Sequence, residues 1–259
     1  MIDKLGNRLK TKYENVFRAM LPQRTYAILR IDGKAFHTFT RRLEKPYSER
    51  LANALDAAAL SLCSEMMGCQ FAYGQSDEYS FLLTDFDKDD SEMWFNGNIQ
   101  KITSVSSSIF TATFNLAWRD SISIGEIIRP GHFDSRIFII SDRNDVLRYF
   151  QWRQNDATRN SLNMLASCHY THKELMGVAS ATKHELLHAK GVNWAKQQTA
   201  FKRGRVIRRV VEEKTVSYTH RTTKKVHTAQ IVEKPWKVDF DIPVFTKTPS
   251  YLDDLVPQL

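Results

Sequence analysis

"CQFAYGQSDEYSFLL", residues 69–83, places two carboxylates, Asp77 and Glu78, between two aromatic and apolar runs. The runs read as a strand, a tight turn at Ser76-Asp77 and a returning strand. An acidic pair held between apolar strands is costly unless something cationic meets it. Upstream, "TYAILRID" (25–32) reads as a short strand that ends in another acid, Asp32, with Gly33 behind it. Between the two, Leu51, Ala54, Leu55, Ala58, Leu62 and Met66 recur at helical spacing, with Ser48 as N-cap and Gly68 as the stop.

Further along, a long helix is expected to turn Ile99, Ile102, Val105, Ile109, Ala112 and Leu116 inward. "SRIFIIS" (135–141) is a strand, and "DVLRYFQWRQNDATRNSLNMLASCHY" a helix with Leu147, Phe150, Leu162 and Leu165 inward. The order β-α-β-β-α-β is the split arrangement of ferredoxin-like folds, an α+β class with an antiparallel sheet. "FKRGRVIRRVVEEKTVSYTHRTTKKVHTAQIVEK" (201–234) alternates apolar and basic residues, as a β-ribbon with a basic face would. The proline-punctuated C-terminus reads as an irregular tail.

The chain has 259 residues and a formal net charge of +8, which favours a polyanionic partner, nucleic acid ahead of a membrane surface. Its hydrophobic content of 42% is that of an ordinary globular protein, and no apolar run is long enough to cross a bilayer. Cys63, Cys69 and Cys168 show no zinc or redox spacing, so a reducing cytoplasm is expected.

In a sheet of this order the first strand lies beside the hairpin, and Asp32 comes to Asp77 at one edge. Two carboxylates there suit Mg²⁺, which takes one or two and leaves room for substrate phosphates. Neighbouring strand residues point to opposite faces. Asp32 and Asp77 are therefore the expected catalytic metal ligands, with Glu78 supporting or sharing. Gly33 allows a close backbone approach, and the N–H groups of Lys34, Ala35, Phe36 and His37 form a cradle for a triphosphate. Lys34, His37, Arg41, Arg42 and Lys45 add positive charge. Two Mg²⁺ ions ~3.5–4 Å apart would activate a hydroxyl and steady a pyrophosphate leaving group. A lone Asp-Glu pair in a turn is ordinarily solvated turn chemistry; the matching Asp32-Gly33 turns the reading toward nucleotidyl transfer.

"LRIDGKAFHTFT", "KPYSER" and "AYGQSDEYSFLL", with "FDSRIF" and "WRQND", resemble the hallmark blocks of the tRNA-His guanylyltransferase family, templated 3′-to-5′ polymerases. The resemblance spans roughly residues 20–205 and implies a polymerase-like palm over 1–142. Residues 143–259 would be a helical and basic β-ribbon extension integrated with it. It implies metal ligation by Asp32, the Gly33 carbonyl and Asp77, and a triphosphate wrapped by 33–37. By position, Arg30, Lys45, Ser76, Arg136 and Lys183 would bind phosphates or the activating nucleotide. Arg153 and Asn160 are further phosphate or tRNA candidates, as are Arg203 and Arg205 with Arg208, Arg209, Lys224 and Lys225. The implied chemistry uses ATP to adenylylate a tRNA 5′-phosphate, which the 3′-hydroxyl of GTP or another nucleoside triphosphate then attacks. The implied assembly is a homotetramer, a dimer of dimers.

Thr158, the "KPYS" wording at Tyr47 and Ser48, and Asn96 to Asn98 depart from the eukaryotic pattern. They resemble the bacterial and archaeal "like" proteins that restore truncated tRNA 5′ ends. Repair and tRNA-His guanylylation both stand at this point. A palm-type nucleotide cyclase is the other enzymatic reading, and a non-catalytic RNA-binding module would not need the two aspartates. "HELLH" (184–188) carries the zinc-protease pattern with His184, Glu185 and His188, but Trp194 stands where the extended motif needs a third histidine. "HYTH" (169–172) reads as a helix-end feature.

Overall fold

A computed structural model describes residues 3–122, 129–219, 221 and 226–259; Lys224 and Lys225 lie outside them. The chain begins with α1 (Lys4–Leu9) and runs through distorted helical turns to Phe17, burying none of these side chains. β1 (Tyr26–Gly33) leads through a short turn, α2 (Phe36–Phe39), to α3 (Glu49–Glu65). The Ser48 hydroxyl caps α3 by accepting the Leu51 N–H, and the chain turns away at Met66 ahead of Gly68, whose φ is +77°. The hairpin β2 (Cys69–Gln75) and β3 (Glu78–Leu83) follows, then α4 (Ile99–Asp120), β4 (Phe133–Ile140) and α5 (Arg143–Ser167).

The structure is α+β. Six antiparallel strands run in the order β4-β1-β3-β2-β5-β8, with β5 (Arg205–Arg209) and β8 (Trp236–Asp239) from the second part of the chain extending the same sheet. β1 lies between β4 and β3, in register Asp32 with Asp134 and Ile31 with Tyr79. Strand alternation gives the sheet two apolar faces. Ala27, Leu29, Ile31 and Phe81 pack with Leu62, Phe110 and Phe114 of α3 and α4. Tyr26, Ile28, Phe71 and Leu82 pack with Val146 and Phe150 of α5. Each fully buried side chain of this size contributes about 1.5–3 kcal/mol, so the central strands are held from both sides. Short helices α6 (His172–Leu175), α7 (Ser180–Ala189) and α8 (Thr199–Arg203) pack against the far end of α5 and lead into β5.

Three expectations are corrected. The inward row of α4 is Ile102, Ser106, Phe110, Phe114 and Trp118, while Leu116 is 55% exposed. The aromatics fill the space above the sheet, and the helix is rotated to admit them. The C-terminus is core rather than loose tail: Ile242, Phe245, Leu252 of α9 (Ser250–Asp253) and Val256 are all buried. Arg143 fastens it by donating to the Val256 carbonyl at 2.9 and 3.1 Å. The ribbon of β6 (Glu212–Thr219) and β7 (Val226–Glu233) forms its own two-stranded sheet. It is not uniformly basic, since Lys214 pairs with Glu233 at 2.8 Å and Lys237 with Glu212.

Candidate active site

The β2–β3 turn passes through Ser76 at φ +51° and swings Asp77 over the end of β1. A Cβ on Gly33 would lie 2.7 Å from Asp77 Oδ2 and 2.3 Å from the Phe36 ring. Only glycine lets the Asp77 carboxylate come down on the backbone next to Asp32. Asp77 Oδ1 accepts the Ser76 hydroxyl at 2.9 Å. Burial raises its pKa, against the Ser76 hydrogen bond, and the nearby charge of Asp32 raises it further. Asp32 keeps 41% of its side chain exposed and has Arg136 at 3.8 Å; Arg136 also pairs with Asp134 at 3.1 Å. Two carboxylates thus converge at an accessible point and repel each other, which is what a divalent cation relieves.

Among the described residues no three His, Cys, Asp or Glu side chains group to hold an ion. Asp32 and Asp77 are the two carboxylates here that could hold a cation, with substrate oxygens and water completing its shell. That donor set is hard, oxygen-only and short of protein ligands, and it fits Mg²⁺.

Glu78 lies on the α5 face of the sheet, the face that also carries Arg30. Arg153 donates to both its oxygens at 2.7 Å, and Arg30 Nε lies 3.9 Å away. Arg30 in turn donates to the Tyr149 hydroxyl at 3.0 and 3.2 Å, which meets Ser80 at 2.8 Å. Burial raises the Glu78 pKa while Arg153 and Arg30 pull it back. Glu78 accordingly braces the hairpin against α5. Arg153, read from sequence as a phosphate or tRNA contact, is 5% exposed and committed to Glu78 and Asp156. Arg205 is likewise no RNA contact: it is 1% exposed and bound to Asp56 and Tyr79. An unpaired buried guanidinium would be prohibitively costly, so these two cations found acids inside the protein.

In the 33–37 turn, Ala35 takes φ +55° and Lys34 N–H donates to the His132 carbonyl at 2.8 Å. The Phe36 ring is buried against Phe39, Phe114 and Phe133 at centroid distances of 4.8–5.8 Å. The Lys34 N–H expected in the cradle is thus already engaged, and what the turn can offer a ligand is the backbone of Ala35, Phe36 and His37, plus the exposed side chains of Lys34 and His37.

Beside Ser76 opens a mainly apolar pocket. Lys45, Tyr47, Asn160, Met164 and Phe201 wall it and Arg205 closes its floor. Lys45, Ser76 and Asn160 are thus brought to one cavity next to Asp77. Lys183 stands apart on α7, bonded to Asn163 at 2.9 Å. Arg203 ends α8, its carbonyl accepting the Tyr73 hydroxyl at 2.7 Å. Sequence reading missed Tyr149, Phe201 and the buried Asp56, and gave Tyr47 no place in a pocket wall. Asp56 did leave a signal, a lone acid within the apolar stripe of α3. In "HELLH", His184 packs edge-on to Trp194 at 5.4 Å, a packing contact rather than a ligand set. No helix among the described residues is long and apolar enough to cross a membrane.

The model of the tRNAHis guanylyltransferase family matches residues 7–141. A probable tRNA(His) guanylyltransferase of Dictyostelium discoideum is 30% identical, covering 90% of this chain and 97% of its own length. The tRNA(His) guanylyltransferase of Schizosaccharomyces pombe is 33% identical over 75% of this chain and 77% of its own. Among solved structures, a bacterial tRNA(His) guanylyltransferase-like protein in complex with ATP superposes with a TM-score of 0.83 at 34% identity, covering 98% of this chain and all of that one. A bacterial protein of the same description in complex with GTP gives 0.80 at 33% identity, covering 99% of this chain and all of that one. The chain belongs to the tRNA-His guanylyltransferase family and is a nucleotidyltransferase of that kind.

Proposed function

We propose that this family member extends the 5′ end of tRNA in the 3′-to-5′ direction, with repair of truncated 5′ ends as its main activity. The observation that carries the reading is the meeting of Asp77 with the Asp32-Gly33 backbone. In the first step the tRNA 5′-phosphate attacks the α-phosphorus of ATP, forming an adenylylated end and releasing pyrophosphate. In the second, the 3′-hydroxyl of a template-matched nucleoside triphosphate attacks the activated 5′-phosphorus. A phosphodiester forms, AMP leaves and the hydroxyl proton passes to solvent.

The protein supplies position and charge rather than a nucleophile. The 33–37 turn holds a triphosphate by its backbone, with Lys34 and Lys45 neutralising it. The pocket beside Ser76 takes a nucleobase between Tyr47, Met164 and Phe201. The neighbours solved with ATP and GTP support such a ligand here. Glu78, Arg153 and Arg30 keep the hairpin, and so Asp77, in place. Two Mg²⁺ ions held by Asp32, Asp77 and the Gly33 carbonyl would supply charge neutralisation at phosphorus when bound. The active species in this reading is a cytoplasmic homotetramer, with residues 1–142 as the catalytic palm.

Thr158, Tyr47 and Ser48 favour repair over dedicated tRNA-His guanylylation. The test compares a tRNA lacking its first nucleotide with full-length tRNA-His, each with Mg²⁺, ATP and single nucleotides. Template-matched extension of the truncated RNA is expected; no extension of it, with guanylate added to tRNA-His alone, would overturn the repair reading.

A further inference from the structure

Trp152 on α5 is 49% exposed although it belongs to the cluster that joins the hairpin to α5. Its ring lies 4.5 Å from the Arg153 guanidinium, 5.8 Å from that of Arg30 and 5.8 Å from the Tyr149 ring. Both guanidiniums reach the Glu78 carboxylate, so both stand toward one side of the indole. These partners hold the ring, and about half of the residue is left to solvent. Arg30 precedes Asp32 by two residues on the same strand face, about 7 Å along β1. Through Arg30 the indole is thus linked to the strand face that carries Asp32.

Its surroundings suit RNA. Arg148 and Arg159, 75% and 63% exposed, flank Trp152 on the outward face of α5. The Arg148–Asp145 pair, at 3.1 Å and exposed on both sides, is of the kind worth little and gives way readily to a phosphate; Arg159 meets the half-buried Asp156 at 2.8 Å and keeps the rest of its guanidinium open. The inward side of α5, at Ala157 and Ser161, lines the apolar pocket instead. One helix thus offers two separate places for a base, one enclosed and one open.

We propose that Trp152 is the stacking platform for the nucleobase at the 5′ end of the RNA, the enclosed pocket being left to the nucleotide. This rests on the 5′-extension reading above. An open indole grips any base by its π-face without reading hydrogen bonds, which a template-directed enzyme needs because the end it extends varies in sequence. The Arg30–Tyr149–Glu78–Arg153 cluster couples the platform mechanically to the hairpin that carries Asp77.

The test uses an acceptor-stem duplex whose 5′-terminal base is aminopurine, titrated with the full chain and with Trp152→Phe and Trp152→Leu. Emission should be quenched by the parent and by Trp152→Phe and stay high with Trp152→Leu. The KM for RNA should rise about tenfold in Trp152→Leu, with the KM for ATP and the melting temperature unmoved. Equal quenching by Trp152→Leu, or parallel loss of ATP affinity and melting temperature, would overturn the proposal. Quenching reports binding without turnover, so it decides the platform even if no nucleotide is added. Absent addition by the parent protein would count against the 5′-extension reading alone.

Discussion

Glu78 and Arg153 form a bidentate ion pair, 2.7 Å on each arm, across 75 residues of chain. Arg153 is 5% exposed, and Arg30 stands 3.9 Å from the same carboxylate. The residue beside Asp77 is thereby fixed to α5 and to β1 at once. Glu78→Ala leaves the Arg30 and Arg153 guanidiniums facing each other with Asp156, 3.2 Å from Arg153, as the remaining acid, and should cost about 3–5 kcal/mol in urea unfolding. The double change Glu78→Leu with Arg153→Met should cost less than that single one. A single variant within about 1 kcal/mol of the parent would show that water already satisfies the cluster.

Gly33 carries the second prediction. A methyl group there would meet the Phe36 ring at 2.3 Å and Asp77 Oδ2 at 2.7 Å, and since Phe36 is packed among aromatics the carboxylate is what must give. Gly33→Ala should lower nucleotide addition about a hundredfold by displacing the carboxylate. A crystal structure of the variant should show Asp77 moved off β1. Undiminished addition would mean that the carboxylate need not sit on that backbone.

The same contact predicts a trade between stability and function. Burial, aided by Asp32, raises the Asp77 pKa above its ordinary 3.8. Between that value and the higher folded one, the native state binds more protons than the unfolded chain, so this group's contribution falls as pH rises through the window. Asp77→Asn should melt higher than the parent near pH 7, with the gain fading toward about pH 3. Melting scans at both pH values check it; a lower melting temperature for the variant at neutral pH would contradict the sign.

How much of this was open to sequence reading follows from range. The hairpin and the Ser48 cap are local patterns, and one topological rule sets β1 beside β3; all three are found in the fold, with Asp77 brought against Gly33. The fates of Arg153 and Arg205 are not local. Their partners Glu78 and Asp56 lie 75 and 149 residues away, and in a chain of net charge +8 a buried arginine is indistinguishable from a surface one. The face of α4 was misjudged because aliphatic spacing and aromatic spacing both fit a helix. Only the volume above the sheet chooses Phe110, Phe114 and Trp118.

"HELLH" gives a prediction by contrast. His188→Ala should leave nucleotide addition within about twofold of the parent, as a substitution away from any packed network does, and elemental analysis of the purified chain should find zinc well below one per protein. Stoichiometric zinc lost with the His188→Ala change would reinstate a metal site on α7.

The central claim is that Asp32 and Asp77 together make the reaction centre, and single-turnover addition to a truncated tRNA tests it most directly. Asp32→Asn and Asp77→Asn should each slow Mg²⁺-dependent addition by about a thousandfold or more, while tRNA affinity in a filter-binding assay stays within about threefold of the parent, RNA binding being carried by other cations. Near-parental turnover in either variant, or lost tRNA binding with turnover intact, would contradict the account.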